Sequence, residues 1–120
     1  MTKKPLTIYH NPTCSKSRKA LQILRQYKTQ PQIIEYLETP PSQSDLKQIL
    51  KKLGLAAIDL LRTTEEAFAK GRYQAELMSD EDIIEAIVQY PSLLQRPIVT
   101  YGNKAIIALP PTKVLDIISS

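Results

Sequence analysis

The chain has 120 residues, of which 42% are hydrophobic and 23% are charged. This composition is ordinary for a globular protein, and the length predicts a single domain (1–120) with its own hydrophobic core. The formal net charge of +4 is mild. The basic residues are dispersed and do not alternate with aromatic residues, which argues against nucleic acid as a direct partner.

The cysteine content and the hydropathy pattern further narrow the class of protein and its cellular compartment. Cys14 is the only cysteine, so no internal disulfide can form, and we expect a reducing compartment, the cytoplasm. The N-terminus lacks an apolar signal-peptide core, and no apolar run approaches the roughly 18–20 residues of a membrane span. One cysteine and one histidine, His10, fall short of a four-ligand zinc site, so we expect no metal and no bound cofactor.

The first part of the chain predicts a βαβ unit. Residues 6–10 are rich in β-forming side chains and predict a strand. Apolar residues recur at helical spacing through 15–28, and Pro31 then opens a second strand candidate, QIIEYL. A helix between two strands predicts parallel pairing with a right-handed crossover.

The middle of the chain, about 42–95, predicts a helical insert. Ser42 or Ser44 is placed to cap a first helix, which Gly54 would end. The segment AAIDLLR predicts a short helix that ends near Arg62.

Two further helices are expected in this insert. Thr63 and Glu66 have the spacing of a capping box for the helix that follows them. Ser79 is expected to cap a helix whose acidic first turn suits the helix dipole, and Pro91 to end it.

The C-terminal part predicts two strands and a helix. Two β-rich runs flank Gly102 and Asn103, which is a strong signal for a two-residue hairpin. PPTKVLDIIS (110–119) predicts a last helix with proline at its start. The whole order predicts a thioredoxin-like α/β fold, a four-stranded mixed sheet with flanking helices.

Cys14 lies between the first strand and the first helix. The amides of Ser15, Lys16 and Ser17 would lie in the first helical turn, where they lack partners within the helix and favour a thiolate. Lys16 and Arg18 add positive charge, and the two serine hydroxyls can donate to sulfur or to an oxyanion. The alternative is a buried structural cysteine, but these polar and cationic neighbours favour a nucleophile beside an anion.

Two features of this loop limit its chemistry. His10 has two open interpretations, as a cation or hydrogen-bond donor near the sulfur or as a structural residue at the strand end. The motif C-x-x-S has Ser17 where a dithiol site has its second cysteine. Redox chemistry at Cys14 therefore needs an external thiol, with glutathione or a glutaredoxin-type protein as the natural supply.

These segments together resemble the ArsC family of glutaredoxin-coupled arsenate reductases over about residues 6–118. The resemblance is carried by TIYHNPTCSKSR, IIEYLETPPS, DLLR, QRPIV and PPTKVLDII. It implies that Cys14 attacks arsenate, a small oxyanion, and that electrons come from glutathione and glutaredoxin. It also implies that Arg62 and Arg96 hold the oxyanion and that Pro97 follows a cis peptide bond.

The resemblance also implies a third oxyanion-binding arginine, at the position of Leu109. Leucine donates no hydrogen bond, and a charge-assisted contact is worth about 1.5–3 kcal/mol. We therefore expect arsenate binding to be weaker by roughly ten- to a hundredfold. Lys104 of the hairpin is a candidate for a partial replacement.

Two other functions stay open. The Spx-like transcription regulators, which bind RNA polymerase, resemble the chain around LLQRPIV, but most carry a C-x-x-C switch that this chain lacks. A monothiol glutaredoxin-like protein could act at Cys14 by thiol–disulfide exchange, although it would need neither the helical insert nor Arg62 and Arg96.

Overall fold

The structure is a computed structural model and describes residues 5–27 and 30–118. None of the described helices is long and apolar enough to cross a membrane. The strands are β1 (Leu6–His10), β2 (Gln32–Glu35), β3 (Ile98–Tyr101) and β4 (Lys104–Ile107). The α-helices are α1 (Ser15–Gln26), α2 (Gln43–Leu53), α3 (Glu66–Lys70), α4 (Asp80–Gln89) and α5 (Val114–Ile118). Short 3-10 helices cover Ala57–Leu60, Ala75–Leu77, Pro91–Leu93 and Pro111–Lys113.

The described residues fall into two compact units. One is formed by those in Met1–Thr39 and Arg96–Ser120, and the other is Pro40–Gln95. The first unit contains β1 to β4 with α1 and α5, and the second contains α2, α3 and α4. That the chain behaves as one domain stays a prediction.

The first unit is built on a four-stranded mixed sheet in the order β2-β1-β3-β4. β1 pairs in parallel with β2, with Tyr9 opposite Ile34. β3 runs antiparallel to both β1 and β4, so that Ile98 lies opposite Tyr9 on one side and opposite Ile107 on the other. The predicted thioredoxin-like sheet is confirmed.

Helix α1 packs on this sheet because its apolar residues recur on one side. Ala20, Leu21, Ile23 and Leu24 are buried in a cluster that also holds sheet residues and residues of α5. Burying each leucine or isoleucine side chain contributes about 1.5–3 kcal/mol. This packing fixes the first turn of α1 just beyond the end of β1, where Cys14 lies.

The second unit begins two of its helices with reciprocal side-chain caps. The Oγ of Ser42 accepts from the N–H of Asp45 at 3.0 Å, and the Asp45 carboxylate accepts from the N–H of Ser42 at 3.0 Å. Ser79 and Asp82 form the same box at the start of α4. Gly54 ends α2 with φ at 66°, in the left-handed region that glycine adopts readily. The predicted caps at Ser42 and Ser79 are confirmed.

The predicted capping box of Thr63 and Glu66 is wrong, because α3 is preceded by Glu65 at its N-cap position and has no side-chain cap. The N–H of Glu65 donates to the carbonyl of Arg62 at 3.3 Å, and its carboxylate pairs with the Arg62 guanidinium at 3.1 Å. These contacts make 62–65 a turn, so the helix starts later than the spacing predicts.

Three predicted ends also shift. The second strand ends at Glu35, because its carbonyl accepts from the N–H groups of Glu38 and Thr39 in a turn. The short helix of AAIDLLR is a 3-10 turn that ends at Leu60, before Arg62. Helix α1 ends at Gln26. The predicted extensions to Lys28 and Ser119 lie outside the described residues.

Candidate active site

Three predicted site positions lie at one edge of the sheet in the first unit. This edge is the one at which the strand β1 reaches its carboxyl end. Cys14 follows the carboxyl end of β1, Arg96 precedes the antiparallel β3, and Leu109 follows β4. The N–H of Ala108 donates to the carbonyl of Pro97 at 2.9 Å, which continues the β3–β4 pairing towards Leu109. Ligands of α/β proteins bind at the carboxyl ends of parallel strands, and β1 is one of them.

Two proline residues at this edge follow cis peptide bonds. These are the bonds Arg96–Pro97 and Leu109–Pro110. The expectation for Pro97 is therefore confirmed, while the cis bond after Leu109 has no counterpart in the sequence analysis.

Asn11 organises the loop that carries Cys14, a role that the sequence analysis missed. Its Oδ1 accepts from the N–H of Thr13 at 3.0 Å and from the Thr13 hydroxyl at 2.8 Å. Its carbonyl accepts from the N–H of Cys14 at 3.0 Å. Asparagine before proline is a turn signal because its side chain bonds to the backbone two residues on, and this signal could have identified Asn11.

Ser17 and Arg18 are also used to build the loop. Ser17 is fully buried, and its Oγ accepts from the N–H of Asn11 at 3.3 Å. The Nη1 of Arg18 donates to the carbonyl of Pro12 at 3.1 Å. Ser15 and the side chains of Lys16 and Arg18 are exposed. Substrate contacts by Ser15, Ser17 and Arg18 stay predictions, and the shown role of the last two is to hold the loop.

The environment of Cys14 favours its ionised form. Burial raises the pKa of the thiol, but backbone N–H groups of Ser17 and Lys16 and the charge and hydrogen bond of Arg96 outweigh this effect. The pKa therefore lies below its ordinary value of 9.0. The first turn of α1 contains no acidic residue that would oppose the thiolate. Cys14 is free and partly exposed, as a nucleophile must be.

The guanidinium of Arg96 hydrogen-bonds to Cys14 and has one nitrogen without a partner among the described residues. Its Nε is buried and has no hydrogen-bond partner within the described part of the chain. Buried donors are nearly always paired, so this nitrogen is an exception. Because it is closed off from the surface, Arg96 is an anion-binding candidate through its charge and its hydrogen bond beside Cys14.

The other predicted arginine, Arg62, belongs to the second unit and is held there. Its Nη1 donates to the carbonyl of Ser92 at 3.2 Å, and its Nη2 pairs with the Glu65 carboxylate. Its backbone N–H donates to the carbonyl of Leu93 at 2.7 Å. Its contact with an oxyanion stays a prediction.

His10 is buried on the side of the sheet that α1 covers, and its Nδ1 has no partner among the residues described. Burial lowers the pKa of His10, Glu35 raises it, and Arg25 and Arg18 lower it further. Cys14 is not among the groups that shift this pKa. The neutral, structural interpretation of His10 therefore fits better than that of a cation beside the sulfur.

Leu109 and Lys104 differ in position. Leu109 lies at the edge that carries Cys14 and is partly exposed. Lys104 pairs with Tyr101, which in turn pairs with Leu6, so it lies at the opposite edge of the sheet. The prediction that Lys104 partly replaces the missing arginine is therefore wrong. Among residues 5–27 and 30–118, no group of three or more His, Cys, Asp or Glu side chains could hold a metal ion.

Comparison with known proteins decides the family. The ArsC family model matches residues 9–117. The chain belongs to the ArsC family. The predicted resemblance is therefore confirmed over nearly the whole chain.

Relatives match between 94% and 97% of the chain. The "Uncharacterized protein YfgD" of Escherichia coli K12 is 41% identical, with 96% of this chain and 98% of the relative covered. An arsenate reductase of Escherichia coli is 36% identical, with 94% and 80% covered. The solved structure of an arsenate reductase from Vibrio cholerae is 38% identical with a TM-score of 0.91, covering 97% of this chain and 99% of that one.

Proposed function

We propose that this ArsC-family chain is a thiol-dependent, arsenate reductase-like oxidoreductase that works in the cytoplasm with glutathione and glutaredoxin. Cys14 is the nucleophile and Arg96 holds the oxyanion. The observation that carries the proposal is the position of the Arg96 guanidinium, whose hydrogen bond and charge act on the sulfur of Cys14. Arsenate reductases among the relatives support the substrate class.

The reaction balances with two thiols. The Cys14 thiolate attacks arsenic, and an oxygen of arsenate leaves as water after protonation. The thiolate of glutathione then attacks the sulfur of Cys14, the S–As bond breaks with its electron pair left on arsenic, and arsenite is released. Glutaredoxin and glutathione afterwards reduce the disulfide between Cys14 and glutathione. Arsenic gains two electrons, and two thiols are oxidised to one disulfide with loss of one water. The positive charge of Arg96 stabilises the oxyanion throughout, and the amides of Lys16 and Ser17 stabilise the sulfur.

Leu109 sets the expected efficiency of this site. It lies one position beyond the register contact between Ala108 and Pro97, and so beside Arg96 at the sheet edge. An arginine at this place would add a charge-assisted donor next to the first one. We therefore expect the wild-type protein to need a higher arsenate concentration than a chain with arginine here.

The test is a paired assay of arsenate reduction with glutathione and glutaredoxin. Leu109→Arg is expected to lower KM for arsenate by roughly ten- to a hundredfold relative to wild type. Leu77→Arg is the matched control, because Leu77 is 74% exposed and lies in the second unit. No reduction by either wild type or Leu109→Arg at saturating arsenate would contradict the proposal.

The two alternatives keep their own tests. An Spx-like regulator predicts co-purification with RNA polymerase subunits from cells. A monothiol glutaredoxin-like protein predicts faster turnover of protein–glutathione mixed disulfides than of arsenate. Neither has a contact of the described residues that favours it over the oxyanion site at Arg96.

A further inference from the structure

Three residues around the sulfur are joined in a closed cycle of hydrogen bonds. The N–H of Cys14 donates to the carbonyl of Asn11 at 3.0 Å. The N–H of Asn11 donates to the Oγ of Ser17 at 3.3 Å. The N–H of Ser17 donates in turn to the sulfur of Cys14. Because each of the three residues donates to the next, a change in one bond alters the geometry of the other two.

One bond of this cycle depends on the side chain at position 17. The N–H groups and the carbonyl of Asn11 belong to the backbone, which every residue other than proline supplies in full. The Oγ of Ser17 is a side-chain acceptor that alanine would lack. This hydroxyl therefore ties the segment after β1 to the first turn of α1, and the N–H that reaches the sulfur lies in that turn.

Burial fixes the position of Ser17. Its exposed fraction is 0%, and it lies on the same side of α1 as Ala20, Leu21 and Leu24, which pack on the sheet. A buried hydroxyl needs a hydrogen-bond partner, and the N–H of Asn11 is one. A side chain closed off from solvent in this way is placed to act on the sulfur through its neighbours.

We propose that Ser17 is a positioning residue for Cys14, whose hydroxyl holds Asn11 and thereby keeps the N–H of Ser17 directed at the sulfur. The hydroxyl is uncharged, so it holds the loop without repelling a thiolate. The effect on the thiol stands by itself, while its consequence for turnover rests on the proposed function.

The helices α2 and α4 show what this arrangement replaces. At the third position of each helix, Asp45 and Asp82 accept from the backbone N–H of the N-cap residue. At the third position of α1, Ser17 accepts from the N–H of Asn11 instead. A carboxylate three residues after Cys14 would raise the pKa of the thiol by repulsion, whereas a neutral hydroxyl does not. The third position of α1 therefore anchors the helix start without opposing a nucleophile.

The direct test is the pH dependence of Cys14 alkylation by iodoacetamide in the variant Ser17→Ala. Loss of the hydroxyl is expected to raise the midpoint of alkylation by about 0.5–1 pH unit and to slow alkylation at neutral pH by roughly three- to tenfold. The rate should return to that of wild type at a pH well above the raised midpoint, where the thiol ionises without this hydrogen bond.

The matched control is Ser44→Ala, which makes the same change at an exposed position in the first turn of α2. Its alkylation midpoint is expected to equal that of wild type. Urea unfolding of the same samples checks that Ser17→Ala is folded, which is expected because alanine is small and a good helix former. A purely structural role would lower the free energy of unfolding and leave the midpoint of the folded protein unchanged.

An unchanged midpoint in folded Ser17→Ala, or an equal rise in Ser44→Ala, would overturn the proposal. A second measurement needs no variant. In wild type, the NMR shifts of the amides of Asn11 and Ser17 are expected to titrate with the same midpoint as the thiol of Cys14, because the three residues share one cycle. If these amides do not follow the thiol, the proposal also fails.

Failure of this inference and failure of the proposed function give different results. If wild type reduces no arsenate but the midpoint rises in Ser17→Ala, the reductase proposal fails and the positioning role stands. If arsenate is reduced and Ser17→Ala raises KM for arsenate with an unchanged midpoint, Ser17 binds the substrate and the positioning role fails alone. The expected result is a lower kcat at neutral pH with an unchanged KM for arsenate.

Discussion

The start of α1 differs from the starts of α2 and α4. Helices α2 and α4 each begin with a serine and an aspartate that satisfy the first amides by a capping box. Helix α1 has Cys14 as its N-cap residue, has no side-chain cap and has no acid in its first turn. The amides that a carboxylate or hydroxyl satisfies elsewhere are directed at a sulfur here. The comparison separates helix starts built for stability from one built for chemistry.

The largest effect should come from removing the sulfur. Cys14→Ser is expected to abolish arsenate reduction, because no other thiol exists in the chain to replace the nucleophile. Its stability should stay within about 1 kcal/mol of wild type, since serine is itself a good N-cap. Turnover and urea unfolding are measured on the same samples, and retained turnover would show that Cys14 is not the nucleophile.

The next effect should come from Arg96. Arg96→Gln removes the positive charge and the guanidinium hydrogen bond that lower the thiol pKa, so alkylation of Cys14 at neutral pH should slow by about tenfold. Lys19→Gln removes one charge from the exposed side of α1, the helix that follows Cys14, and serves as the control. The rate of alkylation by iodoacetamide is measured for both variants. Equal rates would show that Arg96 does not act on the thiol of Cys14.

The smallest effect concerns the ordinary caps. Ser79→Ala removes the Oγ that accepts from the N–H of Asp82, keeps the backbone bond to the Asp82 carboxylate, and should lower the free energy of unfolding by about 1 kcal/mol. Arsenate reduction by the folded fraction should not change. Urea unfolding beside an activity assay checks this, and a loss of specific activity would refute the division between the two kinds of helix start.

The sequence predicted the local parts of this comparison well. A strand over Leu6–His10, the caps at Ser42 and Ser79 and the hairpin at Gly102 depend on neighbouring residues, and each is confirmed. The predicted capping box of Thr63 is wrong because Glu65 pairs with Arg62 and forms a turn, which the spacing of residues alone cannot reveal. The capping of a helix is local, but the competition with a nearby salt bridge is decided by side-chain conformation.

The site was less accessible to prediction, because it depends on pairing between distant segments. Arg96 meets Cys14 only because β3 lies antiparallel to β1, and no local pattern encodes its hydrogen bond to the sulfur. Lys104 was misplaced for the same reason, since the register of β4 puts it at the far edge. Ser17 was identified by its type, but its shown role is to hold Asn11.

The most direct test of the central claim is the pH dependence of Cys14 alkylation in the wild-type protein. A lowered pKa predicts a midpoint below 9.0, with the thiolate already formed on the acidic side of that value. By linkage, the stability that this thiolate contributes is complete above pH 9.0 and is lost as the pH falls through the lowered folded-state pKa. A midpoint at or above 9.0 would contradict the account, because the start of α1 and Arg96 would then not stabilise the thiolate.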